Sequence, residues 1–138
     1  MNEQKNIEVI QTAYGEFGKG NIDALLALMS DDVDWHTFGP QELPMTGLRK
    51  GKPEVGRFFK QVGEAWNFER FEPQRFIAQD DTVVALGIYT GTAKPTGRKF
   101  SSEFSHVFNV RNGKIVKFRE YTDTANLIGA YAPSMSRA

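Results

Sequence analysis

Along the first half of the chain, apolar residues recur every three or four positions; from Phe68 onward they alternate with polar ones. That change of period predicts helices first and strands afterwards. Residues 2–18 carry Ile7, Ile10, Tyr14 and Phe17 at helical spacing, and Gly18-Lys19-Gly20 ends the helix. Asn21 is placed to cap a second helix, Ile22 to Met29, with Leu25, Leu28 and Met29 inward. Ser30-Asp31-Asp32 closes it before a short strand from Val33 to Phe38. Residues 39–51, with Pro40, Pro44 and three glycines, read as a loop. A long loop in a compact domain is more often functional than idle. Pro53 suits the first turn of a third helix ending near Trp66, with Val55, Phe58, Phe59 and Val62 on its inner face. Strands over roughly 68–79, 82–93, 98–110 and 114–121 follow, separated by Asp80-Asp81, Lys94-Pro95-Thr96-Gly97 and an Asn-Gly turn. Asp123 caps a last helix that runs to about Tyr131 and is stopped by Pro133.

This order implies an α+β fold in a single domain spanning 1–138. A curved antiparallel β-sheet packs on three N-terminal helices, with a short C-terminal helix. Strands this long imply strong curvature, and a long curved sheet wrapped on a few helices leaves a cone with an apolar interior.

The last two strands raise a question of chemistry, because His106 and Glu120 fall among Phe and Val positions. Register decides where they point, since a one-residue slip turns every side chain to the other face. With Asn112-Gly113 as a two-residue loop, Val110 faces Ile115 and His106 faces Arg119, which mixes Lys117 and Arg119 into the apolar face. With Arg111-Asn112-Gly113 as a bulged loop, Phe108 faces Val116, His106 faces Phe118 and Phe104 faces Glu120. The second register gathers the apolar residues on one side and is the one expected. It makes His106 and Glu120 diagonal neighbours on the inner face.

Composition narrows the classes. At 138 residues, with 40% hydrophobic and 25% charged positions, the chain is an ordinary globular domain. Seventeen basic and seventeen acidic residues cancel, so no global field draws nucleic acid or an anionic membrane. Arg49-Lys50-Gly51-Lys52 reads as a solvated loop. Zero cysteines exclude disulfides and thiolate metal sites, and two histidines without compact ligand spacing offer no metal set. The opening MNEQKNIEVIQ lacks the apolar run of a signal peptide and no stretch reaches membrane-spanning length, so a cytoplasmic location is expected. Eleven Phe, four Tyr and two Trp suit either a thick core or an apolar cavity.

Two stretches, GNIDALLALMSDDVDWH and TVVALGIYTGTAKPTGRKFSSEFSHVFNVRNGKIVKFREYTDT, resemble the SnoaL-like polyketide cyclases and ketosteroid-isomerase-related proteins of the nuclear transport factor 2-like superfamily. The resemblance covers nearly the whole chain and implies a cone of curved antiparallel sheet and three helices, commonly a homodimer. Ketosteroid isomerases use a first-helix tyrosine as an oxyanion donor, which Tyr14 in QTAYGEF matches. Where they carry a catalytic carboxylate on the first strand and a carboxylic acid on the penultimate strand, this chain has His36 in WHTFG and His106. Two of three positions therefore depart from that constellation. The polyketide cyclases pair a histidine on the penultimate strand with an acid on the last, and His106 with Glu120 is similar.

A carboxylate without a partner in an apolar cavity has its charged form disfavoured, which suits general acid–base work. The resulting expectation is that Glu120 moves a proton on a small hydrophobic carbonyl or polyketide-like compound, without cofactor or metal. Tyr14 or His106 would steady the developing enolate, and Trp35, His36, Phe38, Phe104, Phe118 and Trp66 would form the substrate wall. Three blander readings stand beside it. Glu120 pairs with Tyr14 or His106 only to hold the cone; the cavity binds an apolar metabolite without chemistry; or the chain is a dimeric interaction module. In the last case the outward sheet face, with Val107, Ile115 and Tyr121, carries the function, and that face is also where a homodimer is expected.

Overall fold

The computed structural model describes residues 2–132, so the expected helix stop at Pro133 lies outside the described residues. In chain order the elements are α1 (Glu3–Gly18), α2 (Ile22–Ala27), β1 (Met29–Thr37), β2 (Gly47–Lys50), α3 (Gly51–Ala65), β3 (Trp66–Gln79), β4 (Thr82–Ala93), β5 (Lys99–Arg111), β6 (Lys114–Thr122) and α4 (Thr124–Tyr131). The six strands form one sheet in the order β2-β1-β6-β5-β4-β3. The architecture is the expected α+β one, with α1, α3 and α4 packed on the sheet. One pairing departs from an all-antiparallel sheet, because β1 and β6 run parallel. The chain crosses through β2 and α3 to the far edge and meanders back, so β6 arrives beside β1 in the same direction.

Strand pairing also moves two boundaries. The second helix ends at Ala27, not Met29, and the following strand begins at Met29, four residues before Val33. The cause is β6: the Leu28 carbonyl accepts from the Ile115 amide, and Met29 pairs with Ile115. Asn21 caps α2 as expected, accepting from the Ala24 amide. Residues 47–50 are not loop but an edge strand on β1, pairing Gly47 with Thr37 and Lys50 with Asp34. Pairing overrides the weak local propensity of that glycine-led segment.

Arg49 is likewise no solvated loop residue. Its guanidinium lies over the Phe58 ring and donates to the Pro44 and Met45 carbonyls and to Gln61 Oε1. This clamp holds the preceding loop against α3 and buries Leu43 and Met45. The loop is a wall of the interior.

The β5–β6 hairpin follows neither register considered from the sequence. Asn112 and Gly113 have φ of 51° and 75°, the two left-handed positions of a two-residue turn, and Val110 faces Ile115. A bulge then inserts Val116, so Asn109 faces Lys117, Phe108 faces Phe118 and His106 faces Glu120 directly. The bulge lets Ile115 and Phe118 both point inward although they are three residues apart. Ile115 is therefore fully buried, and the expectation that it lies on the outward face is overturned.

Curvature is built where β3 folds over β4. Beside its two bulges β3 pairs Phe68 with Gly91 and Pro73 with Gly87. A Cβ at Gly87 would collide with the Glu72 carbonyl and the Phe104 ring, and one at Gly91 with the Asn67 carbonyl. Only glycine admits that approach.

Candidate functional site

The concave face of the sheet is read in rows across strands. One row runs from Thr37 on β1 to Glu120 on β6, His106 on β5 and Ala85 on β4. The next runs from Trp35 to Phe118, Phe108 and Val83. Above these rows, between the sheet and helices α1 and α3, lies a cavity of about 90 Å³. Its walls are mainly aromatic, and Phe38, 37% exposed, stands at its rim.

Three of the polar residues form a line. The α1 stripe that buries Ile10 and Ala13 also carries Tyr14 inward, where its hydroxyl sits 2.6 Å from His106 Nδ1. His106 Nε2 lies 2.7 Å from Glu120 Oε2. Burial, and next the Glu120 charge, push the Tyr14 phenol well above its ordinary value, so it keeps its proton and donates it to Nδ1. With Nδ1 accepting from Tyr14, His106 carries its own proton on Nε2 and donates to the Glu120 carboxylate. The arrangement Tyr14 O–H to His106, and His106 N–H to Glu120, is self-consistent. The Glu120 side chain is 15% exposed against 5% for His106, so the carboxylate is the end of the line that a small molecule reaches.

Glu120 thus has His106 as its partner, the pairing that stood beside the unpartnered carboxylate among the expectations. Tyr14 and His106 direct their protons along the line, so neither offers that proton to a developing enolate. Phe104 stacks beneath the His106 ring, centroids 4.2 Å apart, and fixes its plane.

Of the expected wall, Trp35, Phe38, Trp66 and Phe118 border the cavity. His36 and Phe104 do not. His36 has the opposite parity to the buried Trp35 and Thr37, faces Leu48 and Arg119, and rests on the Phe38 ring at 3.9 Å. Phe104 is inward but lies under His106 and against Gly87, away from the open space.

Sequence reasoning missed Tyr89 and Thr37. Tyr89 hangs from β4, and its hydroxyl reaches Glu120 and Thr122; burial and then the Glu120 charge raise its phenol well above the ordinary value, so it too stays protonated. The alternation Val83, Ala85, Gly87, Tyr89 would have placed it inward. Thr37 occupies the last inward position of β1, next to Glu120. Among the described residues no group of three or more His, Cys, Asp or Glu could hold a metal ion, and no helix is long and apolar enough to cross a membrane.

The SnoaL-like domain family matches residues 10–118. The chain belongs to the SnoaL-like family. The matched stretch contains Tyr14 and His106 and stops two residues before Glu120. No functionally curated protein matches the chain. Among solved structures it is similar to an NTF2-like protein from Burkholderia xenovorans, 29% identical over 95% of this chain and 98% of that one, with a TM-score of 0.87. It is similar to TerC, crystallised with polyporic acid, at 26% identity over 91% and 97% of the two chains and a TM-score of 0.82. A protein from Rhodopseudomonas palustris provisionally named an isomerase shares 25% identity over 77% and 79%, with a TM-score of 0.69. SnoaL-like membership and the NTF2-like fold are therefore established.

Proposed function

We propose that the cavity performs cofactor-free proton transfer on a compact carbonyl compound, with Glu120 as the general base and acid. The observation that supports this reading is the hydrogen-bonded line from Tyr14 through His106 to Glu120, ending inside an apolar space. The surrounding walls are mostly apolar, so a carboxylate held in one orientation there meets a substrate with little reorganisation. Tyr14 and His106 act through Glu120, fixing its rotamer, and are positioning residues. The carboxylate takes a proton from the carbon next to a carbonyl and returns it elsewhere on the same skeleton. That step serves isomerisation, aldol-type cyclisation or dehydration alike.

Size narrows the substrate. The open space of about 90 Å³ is smaller than the roughly 150 Å³ apolar cavity that takes up benzene. Even one ring therefore projects past the rim at Phe38, and a compact ketone needs less room there than a steroid or a fused-ring polyketide.

A second reading, a non-catalytic pocket for an apolar metabolite, is favoured by the aromatic walls. A thermal-shift screen separates the two. Cyclohexanone, 2-cyclohexenone, a steroid and polyporic acid are tested on the wild type and on Glu120→Leu. Compact ketones are expected to raise the wild-type Tm most. A binder would keep that shift, and all its behaviour, in Glu120→Leu; if the substitution also leaves every measured turnover intact, the catalytic reading is wrong.

The same reading places a homodimer on the outer sheet face, where Leu48 is 51% and Tyr121 47% exposed, and puts the protein in the cytoplasm. Light scattering that returned a monomer at micromolar concentration would contradict the dimer, and cell fractionation checks the location.

A further inference from the structure

We infer that the indole N–H of Trp35 and the hydroxyl of Thr37 form the donor pair that receives the ligand's carbonyl oxygen beside Glu120. This rests on the proton-transfer reading and assigns that site its oxygen-binding group. Trp35 and Thr37 stand two residues apart on β1 and both line the cavity. Each is 4% exposed, and neither Trp35 Nε1 nor Thr37 Oγ1 has a hydrogen-bond partner among the described residues. A buried donor taken from water and given no acceptor destabilises the fold, so such groups are uncommon. Ser30 Oγ is a third such atom, but Ser30 does not border the cavity and carries nothing here. Two on successive inward positions of one strand point to an acceptor that comes from outside the chain.

Their surroundings specify that acceptor. An indole N–H only donates, so the partner of both groups is an acceptor. Glu120 lies next to Thr37 across the β1–β6 pair, yet its carboxylate is bonded to His106 and the threonine oxygen is left without a partner. An acceptor already charged would be repelled by Glu120 at this distance. A neutral carbonyl oxygen is not, and it gains charge only as Glu120 takes the proton. Trp35 lies flat on Phe118, ring centroids 3.9 Å apart, so the donor strand is also a wall for a flat ligand.

The chemistry balances on these groups. Adjacent strands stand about 4.8 Å apart, so a ketone held at Thr37 sets its α-carbon over Glu120. The carboxylate takes the α-proton, the C–H pair becomes the C=C bond of the enolate, and the carbonyl π pair moves to oxygen. Thr37 and Trp35 meet that charge. Both donor atoms are covered, so a ligand meets the threonine hydroxyl once it turns about its Cα–Cβ bond into another staggered well and the indole N–H once the Trp35 ring tilts.

The test uses the full chain and carbonyl-¹³C-labelled cyclohexanone followed by NMR. Binding to the wild type is expected to move the carbonyl resonance downfield. Thr37→Val should weaken binding about tenfold, the scale of one lost hydrogen bond, and abolish most of that shift. Thr37→Ser should retain both, and Trp35→Phe should show a smaller loss. The free Thr37→Val protein should at the same time have a higher Tm, because the orphaned hydroxyl is gone. A threonine with only a structural role would not couple a gain in stability to a loss of binding. If Thr37→Val binds the ketone with unchanged affinity and shift while Glu120→Gln abolishes α-proton exchange, this inference alone is overturned. If the wild type neither binds cyclohexanone nor exchanges its α-protons, the proton-transfer reading falls with it.

Discussion

The two flanks of Glu120 are built in opposite ways. On the β5 side every polar group has a partner: His106 bonds Glu120 through one ring nitrogen and Tyr14 through the other. On the β1 side, one strand away, Trp35 and Thr37 keep a buried N–H and a buried hydroxyl with nothing to bond among the described residues. A satisfied network holds its members in one geometry, whereas an unsatisfied group is held ready at a cost to stability. On the proposed reading, one flank positions the carboxylate and the other receives what it acts on.

Substitutions on the two flanks should therefore move stability in opposite directions. The largest effect is expected on the satisfied side. His106→Phe keeps an aromatic volume but strips Tyr14 and Glu120 of their partner, at about 2–4 kcal/mol. Urea unfolding with an unchanged m-value checks it, and a loss below half a kcal/mol would show that the line holds nothing. Next comes Thr37→Val on the other flank. It should stabilise the free protein by about 1 kcal/mol, read as a higher denaturant midpoint. A destabilisation would mean that the hydroxyl has a partner after all.

Tyr14→Phe is expected to cost a similar amount at neutral pH, about 1 kcal/mol for one hydrogen bond, with a signature in pH that sharpens the comparison. Burial first, then the Glu120 charge, holds the Tyr14 phenol protonated well above its usual range near 10. The unfolded chain gives up that proton near pH 10 while the folded chain keeps it. The stability tied to this proton is complete below that value and falls as the pH climbs toward the folded one. Tyr89 behaves likewise. Tyr14→Phe should therefore lose stability less steeply than the wild type above pH 10, as followed by thermal unfolding across the alkaline range. Parallel curves would contradict the burial of the phenol.

What the sequence revealed, and what it hid, follows the same physics. Alternation along β5 and β6 was strong enough to turn His106 and Glu120 inward. It was not strong enough to locate the bulge at Val116, because one inserted residue leaves every hydrophobic position accounted for in a shifted pairing. The edge strand at Gly47–Lys50 was invisible, since its existence depends on β1 and not on its own residues. His36 was expected in the wall, but the parity of the buried Val33, Trp35 and Thr37 turns it outward. Phe104 shares the inward parity of the site yet lies under His106, a matter of depth that no alternation reports. Tyr89 was legible by its parity on β4. Thr37 was not, for a missing partner is a property of three dimensions alone.

The central claim is that the carboxylate at the end of the Tyr14–His106–Glu120 line transfers protons inside the cavity. The direct measurement is proton NMR of cyclohexanone in D₂O with the wild type and with Glu120→Gln, both verified as folded by thermal unfolding. The account predicts α-proton exchange above the buffer rate in the wild type and a loss of about 100-fold or more in Glu120→Gln. Equal exchange by the two proteins would contradict it.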